Sequence, residues 1–388
     1  MRLLHRTPVI GCLLAVVVLA SACAASTPSK PVPTRGTAIA PTATQAPEAS
    51  PAPAQGWWAP SGASSTLATA LRAPWSVVEL EAGGALISER DSGAVRELTG
   101  TGELRTAGTV PDVVSGGESG LHGLAVWEDA TTGDPWLYAY HGASEDNRVV
   151  RMPLLGESGA HSLGEGEVVF SGIARNDTHN GGRIAFGPDG MLYVSTGDAQ
   201  NRDAAQDPDA LGGKILRLTP DGAPAPGNPF GNAVWSLGHR NVQGLAWTAD
   251  GGLWASEFGQ NTWDELNHIV AGANYGWPLV EGEAGDGRFT EPVVVWPTSE
   301  ASPSGIAAVG STIFVAGLRG ERLWVVHVTP SLPAQTTISG LDGQGRLRDA
   351  IAAADGSVWI LTNNTDGRGS PRPEDDLLIR VPISPSPG

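Results

Sequence analysis

The segment IAFGPDGMLYV, residues 184–194, places an Asp-Gly turn between two short apolar runs. The same arrangement returns in LAWTADGGLWA, residues 245–255. An Asp-Gly pair between alternating apolar residues predicts a β-hairpin, because glycine accepts the positive φ that such a turn requires. Each segment is therefore predicted to form the first two strands of one repeating unit.

Four weaker copies of this hairpin occur elsewhere, with first strands around residues 78, 124, 306 and 350. The apolar residues that mark the second strands of all six copies are Leu86, Leu137, Leu192, Leu253, Ile313 and Val358. Successive members of this set are 51, 55, 61, 60 and 45 residues apart, which is the length of a four-stranded propeller blade. The spacing predicts an all-β, six-bladed β-propeller and is more regular than a β-sandwich or two smaller β domains would require.

The composition limits the partners that the protein can bind. The 388 residues include 24 Lys plus Arg and 41 Asp plus Glu, for a formal net charge of −17. This acidic excess argues against nucleic acid or an anionic membrane surface as a partner, because affinity for phosphate comes from neutralisation by cations. The 52 Gly and 30 Pro favour a turn-rich β protein over a helical one.

Residues 1–22 are predicted to be a lipoprotein signal peptide. Arg2 and Arg6 precede an apolar run that is too short for a membrane span, and small residues at 20–22 stand directly before Cys23. This pattern resembles a bacterial lipobox, so Cys23 is the expected lipidation site; an ordinary cleaved signal with a spare thiol is the alternative. The mature chain would then have no disulfide, no thiolate metal site and no cysteine nucleophile apart from that residue.

The remaining chain divides into two parts. Residues 23–56 are rich in Pro, Ala and Thr and contain almost no large apolar side chain, which predicts a lipidated, disordered tether. Residues 57–388 are predicted to form the propeller. The expected location is therefore extracytoplasmic, with the protein held at the cell membrane only through its N-terminal lipid.

Unusual residues precede the predicted first strands. In a propeller the loops that lead into the innermost strands form one mouth of the central channel, so residues distant in sequence are expected to meet there. They are Glu118, His179, Arg240, Asn241, Arg346 and Arg348. Clustered arginines in an acidic protein predict a small polyanionic ligand, and the histidine beside them is a candidate general base. Each arginine alone could equally form a surface ion pair, and His179 alone could be structural.

Several common catalytic signatures are absent from the sequence. It contains no Gly-x-Ser-x-Gly elbow and no His-Glu-x-x-His zinc helix, and the segment GGKI at 212–215 lacks the spacing of a phosphate-binding loop. These absences weigh against hydrolase and nucleotide-binding functions.

Between about residues 75 and 380 the chain resembles the soluble quinoprotein glucose/sorbosone dehydrogenase family, the aldose sugar dehydrogenases that depend on pyrroloquinoline quinone (PQQ). The motifs that carry the resemblance are GLHGLA at 120–125, HNGGRIAFGPDG at 179–190, GGKILR at 212–217, GHRNVQG at 238–244, DELN at 264–267, NYGWP at 274–278 and GRLRD at 345–349. The family fold is a six-bladed propeller, in agreement with the repeat count.

The resemblance implies a role for each candidate residue. PQQ is a tricarboxylated ortho-quinone, and Arg319, Arg346 and Arg348 would pair with its carboxylates. Arg240 and Asn241 would lie against the quinone oxygens, and Glu118 would face substrate and cofactor. His179 would remove the proton of the anomeric hydroxyl while hydride passes to the quinone C5, which gives the lactone.

The resemblance also implies Ca²⁺ beside the quinone, held by the main-chain carbonyls of Gly259 and Gln260. A second, structural Ca²⁺ is expected at Glu265 with the carbonyl of Tyr275, although residues 264–265 could instead form a capped loop. Gln260 stands where proline is common, and Arg319 stands where lysine is frequent. Thr178 stands where some members have an acid, so the sequence leaves open what orients His179.

Three functions are compatible with these observations. The first is PQQ- and Ca²⁺-dependent oxidation of an aldose, with electrons passing to a quinone or a redox protein. The second is a non-catalytic propeller lipoprotein that binds a sugar or a protein. The third is a propeller lactonase or metal hydrolase, which would need a cage of carboxylates, whereas the predicted mouth is richer in arginine.

Overall fold

A computed structural model describes residues 56–386, apart from residues 130, 286, 329–333, 340 and 342. The predicted signal peptide, Cys23 and the tether as far as residue 55 lie outside the described residues. Two short strands, β1 (Trp57–Pro60) and β2 (Ser65–Ala68), precede the first complete blade.

The first three blades follow one another along the chain. Blade 1 consists of β3 (Pro74–Glu79), β4 (Ala85–Glu89), β5 (Ala94–Leu98) and β6 (Leu104–Thr109). Blade 2 consists of β7 (Leu121–Glu128), β8 (Pro135–Gly142), β9 (Asn147–Leu155), β10 (Ser162–Leu163) and β11 (Glu167–Ile173), where β10 and β11 both pair with β9. Blade 3 consists of β12 (Ile184–Phe186), β13 (Leu192–Ser195), β14 (Lys214–Leu218) and β15 (Val234–Leu237).

The next three blades complete the ring. Blade 4 consists of β16 (Val242–Trp247), β17 (Leu253–Glu257), β18 (Trp263–Ile269) and β19 (Val294–Pro297). Blade 5 consists of β20 (Pro303–Val309), β21 (Thr312–Gly317), β22 (Arg322–His327) and β23 (Gln335–Ser339). Blade 6 consists of β24 (Leu347–Ala352), β25 (Ser357–Thr362) and β26 (Leu378–Ser386), with β1 as its outer strand. The prediction of an all-β, six-bladed propeller is confirmed.

Both ends of the described chain contribute to blade 6. Strand β1 pairs antiparallel with β26, and Trp57 lies opposite Ser386. Strand β2 pairs with β26 as well, with Ser65 opposite Arg380. The hairpin repeat in the sequence did not identify β1, because this strand is separated from its partner by the whole length of the propeller.

The apolar core is divided among the interfaces between blades. The second strand of each blade has neighbours on both faces, and β4, β13, β17, β21 and β25 are buried at every residue. Six clusters of buried apolar side chains were found among the described residues, and each joins two adjacent blades. The ring is therefore held together by packing between blades, with hydrogen bonds within each blade.

A 3₁₀ helix at Arg202–Gln206 lies in the loop between β13 and β14. Among the described residues there is no helix long and apolar enough to cross a membrane.

Candidate functional site

A cavity of about 360 Å³ opens at the mouth of the channel. The lining side chains are Trp75, Arg90, Glu118, Gln243, Phe258, Ser302, Leu318, Arg319, Arg346, Arg348, Asp366 and Arg368. Five guanidinium groups face two carboxylates in this set, so the lining carries an excess of three positive charges. Four of the predicted ligand-binding residues, Glu118 and three arginines, come together here; Arg90, Asp366 and Arg368 were not predicted.

The buried carboxylate of Asp366 organises the arginines. Its Oδ2 lies 3.0 Å from Nη2 of Arg346 and 3.5 Å from Nη2 of Arg348. Burial opposes the ionisation of Asp366, but the two guanidinium groups outweigh that effect and hold its pKa below the usual value. Burial lowers the pKa of Arg348 to about 9, so both partners remain charged at neutral pH.

Three hydrogen bonds hold the ring and the backbone N–H of His179. Its Nδ1 lies 2.8 Å from Oδ1 of Asp198, its Nε2 lies 2.9 Å from Nη2 of Arg240, and its backbone N–H donates to Oε2 of Glu118 at 2.9 Å. A carboxylate at Nδ1 selects the tautomer with hydrogen on that nitrogen, so the Nε2 lone pair is the basic one and here accepts the hydrogen bond from Arg240. The residue adopts φ of 59°, a left-handed conformation that is uncommon for a side-chain-bearing residue.

Asp198 supplies the orientation that the sequence left open at Thr178. Its second oxygen accepts a hydrogen bond from Nε1 of Trp277 at 2.8 Å, and its first also accepts the backbone N–H of Gln200 at 2.9 Å. Burial opposes the ionisation of Asp198, but the hydrogen bonds from His179 and Gln200 hold its pKa below the usual value. The His179–Asp198 pair is therefore a fixed base with an ionised partner.

Arg240 and Asn241 lie beside this pair. Arg240 donates from Nη1 to the carbonyl of Phe258 at 3.0 Å, and its guanidinium lies 5.4 Å from the centre of the Trp277 ring. Burial lowers the pKa of Arg240, whereas the nearby Asp198 acts in the opposite direction. Asn241 uses its Oδ1 to accept the backbone N–H of Gly181 at 2.9 Å.

Several buried donors around the cavity have no hydrogen-bond partner within the described part of the chain. They are Nε of Arg240, Nδ2 of Asn241, Nε of Arg346 and Nε of Arg348. A buried polar group without a partner costs about 1–3 kcal/mol. A bound ligand with several acceptor oxygens could relieve this cost.

Glu118 links the cavity to His179. Its Oε1 lies 2.8 Å from Nη2 of Arg368, while its Oε2 accepts the His179 N–H. The carbonyl of Glu118 accepts a hydrogen bond of 2.7 Å from Nε2 of His122. Burial lowers the pKa of His122 to about 3, so that ring is neutral and structural.

Gly259 and Gln260 lie in the loop that follows β17. Within the described residues neither carbonyl oxygen accepts a hydrogen bond, so both are available to a hard cation. Oε1 of Glu281 fixes this loop by accepting the backbone N–H groups of residues 260 to 263 at 2.6 to 3.2 Å. A Cβ at Gly259 would meet the carbonyl oxygen of Trp263 at 1.8 Å, so the close approach requires glycine.

Glu265 and Tyr275 lie beside a buried hydrogen bond between His239 and Glu257. Glu265 lies opposite Glu257 in the β17–β18 ladder, and burial together with Glu257 raises its pKa to about 8. Glu257 lies 2.6 Å from Nδ1 of His239, whose ring stacks on Tyr275 at 4.6 Å. No group of three or more His, Cys, Asp or Glu side chains suited to a metal was found among the described residues. A cation at Gly259 and Gln260 would therefore depend on main-chain oxygens, and one at Glu265 would need the carbonyl of Tyr275 beside that single carboxylate.

The whole folded region is similar to known proteins. The family model described as Glucose / Sorbosone dehydrogenase matches residues 71–379. A PQQ-bound aldose sugar dehydrogenase from Streptomyces coelicolor is 46% identical with a TM-score of 0.79, and the match covers 84% of this chain and 100% of that one. A Thermus thermophilus structure described as a putative oxidoreductase (glucose dehydrogenase) is 42% identical, with a TM-score of 0.76 and coverage of 82% and 99%. The aldose sugar dehydrogenase of Escherichia coli is 29% identical over 76% of this chain and 88% of its own.

Proposed function

The chain belongs to the glucose/sorbosone dehydrogenase family, and on that premise we propose that it oxidises aldose sugars at C1 to the lactone with PQQ and Ca²⁺. The observation that carries the proposal is the ordered base at the mouth. His179 is fixed by Asp198 at 2.8 Å and is linked through Glu118 to a cavity lined by five arginines. A base beside a strongly cationic cavity suits the removal of a proton from a substrate that stands next to an anionic cofactor.

The cavity fits PQQ in charge and in donors. Its lining has an excess of three positive charges, and PQQ carries three carboxylates. Arg319, Arg346 and Arg348 would hold those carboxylates, and the unpartnered Nε atoms of Arg346 and Arg348 could donate to them. The 46% identical Streptomyces coelicolor structure is described as PQQ-bound, which supports the same cofactor here.

The free carbonyls of Gly259 and Gln260 fit a hard cation, and Ca²⁺ takes main-chain oxygens of this kind. A second Ca²⁺ would be held by Glu265 and the carbonyl of Tyr275, where the carboxylate would ionise on binding. Bound PQQ supplies the hydride acceptor, and the cation beside it makes that acceptor more electrophilic.

The residues of the chain handle the proton and the charge. Nε2 of His179 takes the proton of the anomeric hydroxyl, and Asp198 stabilises the imidazolium that results. In the structure Nη2 of Arg240 donates a hydrogen bond to Nε2 of His179. An incoming hydroxyl must therefore share or replace that hydrogen bond. The guanidinium of Arg240 and the amide of Asn241 would stabilise the negative charge that develops on the quinone oxygens as hydride leaves the sugar.

The deciding experiment is dye-linked oxidation of glucose by metal-stripped protein, with PQQ and Ca²⁺ added singly and together. Activity that needs both is the expected result. An inert protein that leaves the absorbance of PQQ unchanged on mixing would overturn the proposal and would favour a sugar- or protein-binding propeller.

Arg348→Met tests the proposed contact between this arginine and a carboxylate of PQQ. The loss of one charge-assisted contact should weaken PQQ at least about tenfold, equivalent to roughly 1.4 kcal/mol, in a titration of PQQ absorbance. Arg151→Met, which removes two ion pairs with exposed carboxylates on the outside of blade 2 and far from the cavity lining, is the control and should leave the affinity unchanged.

We also propose that residue 23 carries the lipid and that residues 24–56 tether the propeller outside the membrane, as the sequence pattern indicates. Metabolic labelling with a fatty acid should mark the wild-type protein and not the Cys23→Ser variant. Labelling of both, or of neither, would contradict the assignment.

A further inference from the structure

A second cavity, which we call the lower cavity, opens at the opposite end of the channel. It has a volume of about 420 Å³, and the innermost strands of all six blades contribute to its lining. The direction of these strands separates the two cavities: Trp75 near the start of β3 lines the upper one, whereas Val78 and Glu79 at its end line the lower one. The function proposed above leaves the lower cavity without a role.

The chemistry of the lower cavity differs from that of the upper one. Thirteen of its seventeen lining residues are apolar, including Phe186, Leu245 and Ile306. The charged residues in the lining are Arg183, Asp349 and Glu79, and the first two form an ion pair of 2.8 Å. The lower cavity therefore has no positive excess, so its wall suits a neutral, largely apolar molecule rather than an anion.

One buried donor at the inner end lacks a partner. Arg183 is 6% exposed and uses Nη1 for Asp349 and Ser76 and Nε for the carbonyl of Gln243. Its Nη2 has no hydrogen-bond partner within the described residues. Such a donor suits a ligand that presents a carbonyl oxygen.

Trp75 and Gln243, which line the upper cavity, both contact Arg183 of the lower one. The Arg183 guanidinium lies 4.5 Å from the centre of the Trp75 ring, and the guanidinium of Arg348, which lines the upper cavity, lies 5.8 Å from the same ring. A molecule in the lower cavity would therefore be close to one in the upper cavity without meeting it. This arrangement suits the exchange of electrons between two bound molecules and does not suit direct transfer of a group.

We propose that the lower cavity binds a neutral quinone, which accepts the electrons that leave the sugar. The inference rests on the proposed function and adds the electron acceptor to it. A quinone combines an apolar ring for the wall with carbonyl oxygens for Nη2 of Arg183. The open outer end of the cavity leaves room for a ring substituent.

The overall reaction balances with this acceptor. The aldose loses the hydrogen on C1 and the proton of its C1 hydroxyl, which amounts to two electrons and two protons, and C1 becomes the lactone carbonyl. The quinone gains two electrons and two protons and becomes the hydroquinone. His179 takes the first proton at the upper cavity, and the protons for the hydroquinone enter from solvent through the open end of the lower cavity.

The test uses the full-length protein loaded with PQQ and Ca²⁺ and two acceptors of different character. Duroquinone, which is neutral and apolar, should use the lower cavity, whereas ferricyanide, a hydrophilic trianion, should react at the upper mouth. The Ala185→Trp variant fills the lower cavity, and Ala185→Ser at the same position does not. We expect Ala185→Trp to reduce quinone-linked kcat/KM at least about tenfold, or roughly 1.4 kcal/mol, with ferricyanide-linked activity unchanged.

Binding to the protein without PQQ gives a readout that does not depend on turnover. Calorimetric titration should show that duroquinone binds wild type and Ala185→Ser but not Ala185→Trp. Comparison with a ubiquinone that carries one isoprene unit separates a lipid quinone from a free one, because a tail that lies along the apolar wall should tighten binding.

Each failure has a distinct meaning. If ferricyanide-linked activity is absent from wild type, the proposed function fails. If quinone binding and reduction are the same in Ala185→Trp as in wild type, or if PQQ displaces the quinone, the lower cavity is not the acceptor site. If Ala185→Trp does not fold, Ala352→Trp at the outer rim fills the same cavity and is compared with Ala352→Ser.

Discussion

At the scale of single residues, the pair formed by His179 and Asp198 is the centre of the proposed chemistry. The carboxylate fixes both the ring and the position of its hydrogen, because it accepts from Nδ1 at 2.8 Å. An amide in its place could present either its oxygen or its NH₂ group to the ring, so the correct tautomer would no longer be favoured.

Asp198→Asn should therefore lower kcat by about a hundredfold, with little effect on the affinity for PQQ. Dye-linked initial rates and a PQQ titration measure the two quantities separately. The control is Asp221→Asn, on the exposed turn that follows β14, which should retain full activity. Equal loss of PQQ affinity and kcat in Asp198→Asn would show that the residue supports the fold of the mouth and not the base.

The residues around the mouth show what sequence reasoning could and could not find. Glu118, Arg346 and Arg348 stand just before or at the start of a first strand, and the search of those positions identified them. Asp198 and Asp366 follow a second strand, β13 and β25 respectively. Antiparallel pairing returns the chain to the same mouth after two strands, so loops after second strands contribute to the site as well. A search of both kinds of loop would have included these two carboxylates and Arg368.

At the scale of elements, the loop between β13 and β14 depends on one buried lysine. Nζ of Lys214 donates to the carbonyls of Ala204, Ala205 and Gly212 at 2.6, 3.1 and 2.7 Å. This loop carries Asp198 and the 3₁₀ helix. The ammonium group of Lys214 holds its backbone together from the inside, as apolar side chains do in a hydrophobic core. Burial lowers the pKa of Lys214 to about 8 from its ordinary 10.5.

The stability of this loop should therefore depend on pH. Between pH 8 and 10.5 the unfolded chain binds more protons at Lys214 than the folded chain does, so this group's contribution to the free energy of unfolding increases as pH rises. Lys214→Met lacks the titration. The stability of wild type relative to that variant should rise across this window by on the order of 2 to 3 kcal/mol, measured by urea unfolding. A flat difference, or one of opposite slope, would contradict the assignment.

The elements themselves were the most predictable part of the molecule. The six marker residues all lie within second strands, from Leu86 in β4 to Val358 in β25, because a buried central strand needs an apolar run and its hairpin needs a turn residue such as glycine. Strand β1 was not predicted because its partner, β26, lies at the other end of the described chain. No local sequence pattern distinguishes such a lone strand from a loop.

At the scale of the whole molecule, β1 completes blade 6 and closes the ring. Trp57 stacks on His327 of blade 5 at 4.7 Å, and the backbone N–H of Trp58 donates to Oγ1 of Thr312 at 2.9 Å. Strand β1 therefore joins blade 6 by its ladder and blade 5 by these two contacts.

Replacing both Trp57 and Trp58 with alanine should lower the free energy of unfolding by about 2 to 4 kcal/mol, because two large, half-buried rings are lost from this junction. Thermal unfolding followed by tryptophan fluorescence measures the effect. Leu155→Ala on the exposed edge of blade 2 is the control and should change stability little. A variant as stable as wild type would show that the ladder with β26 alone closes the ring.

The closure of blade 6 also sets an order of events during biosynthesis. Trp57 pairs with Ser386, a separation of 329 positions, whereas the other five blades are each built from a contiguous segment. Those blades can pair their strands as soon as their own segment emerges from the ribosome. Strand β1 must wait without its partner until β26 has been made. Emergence of β26 is therefore the event that permits the ring to close.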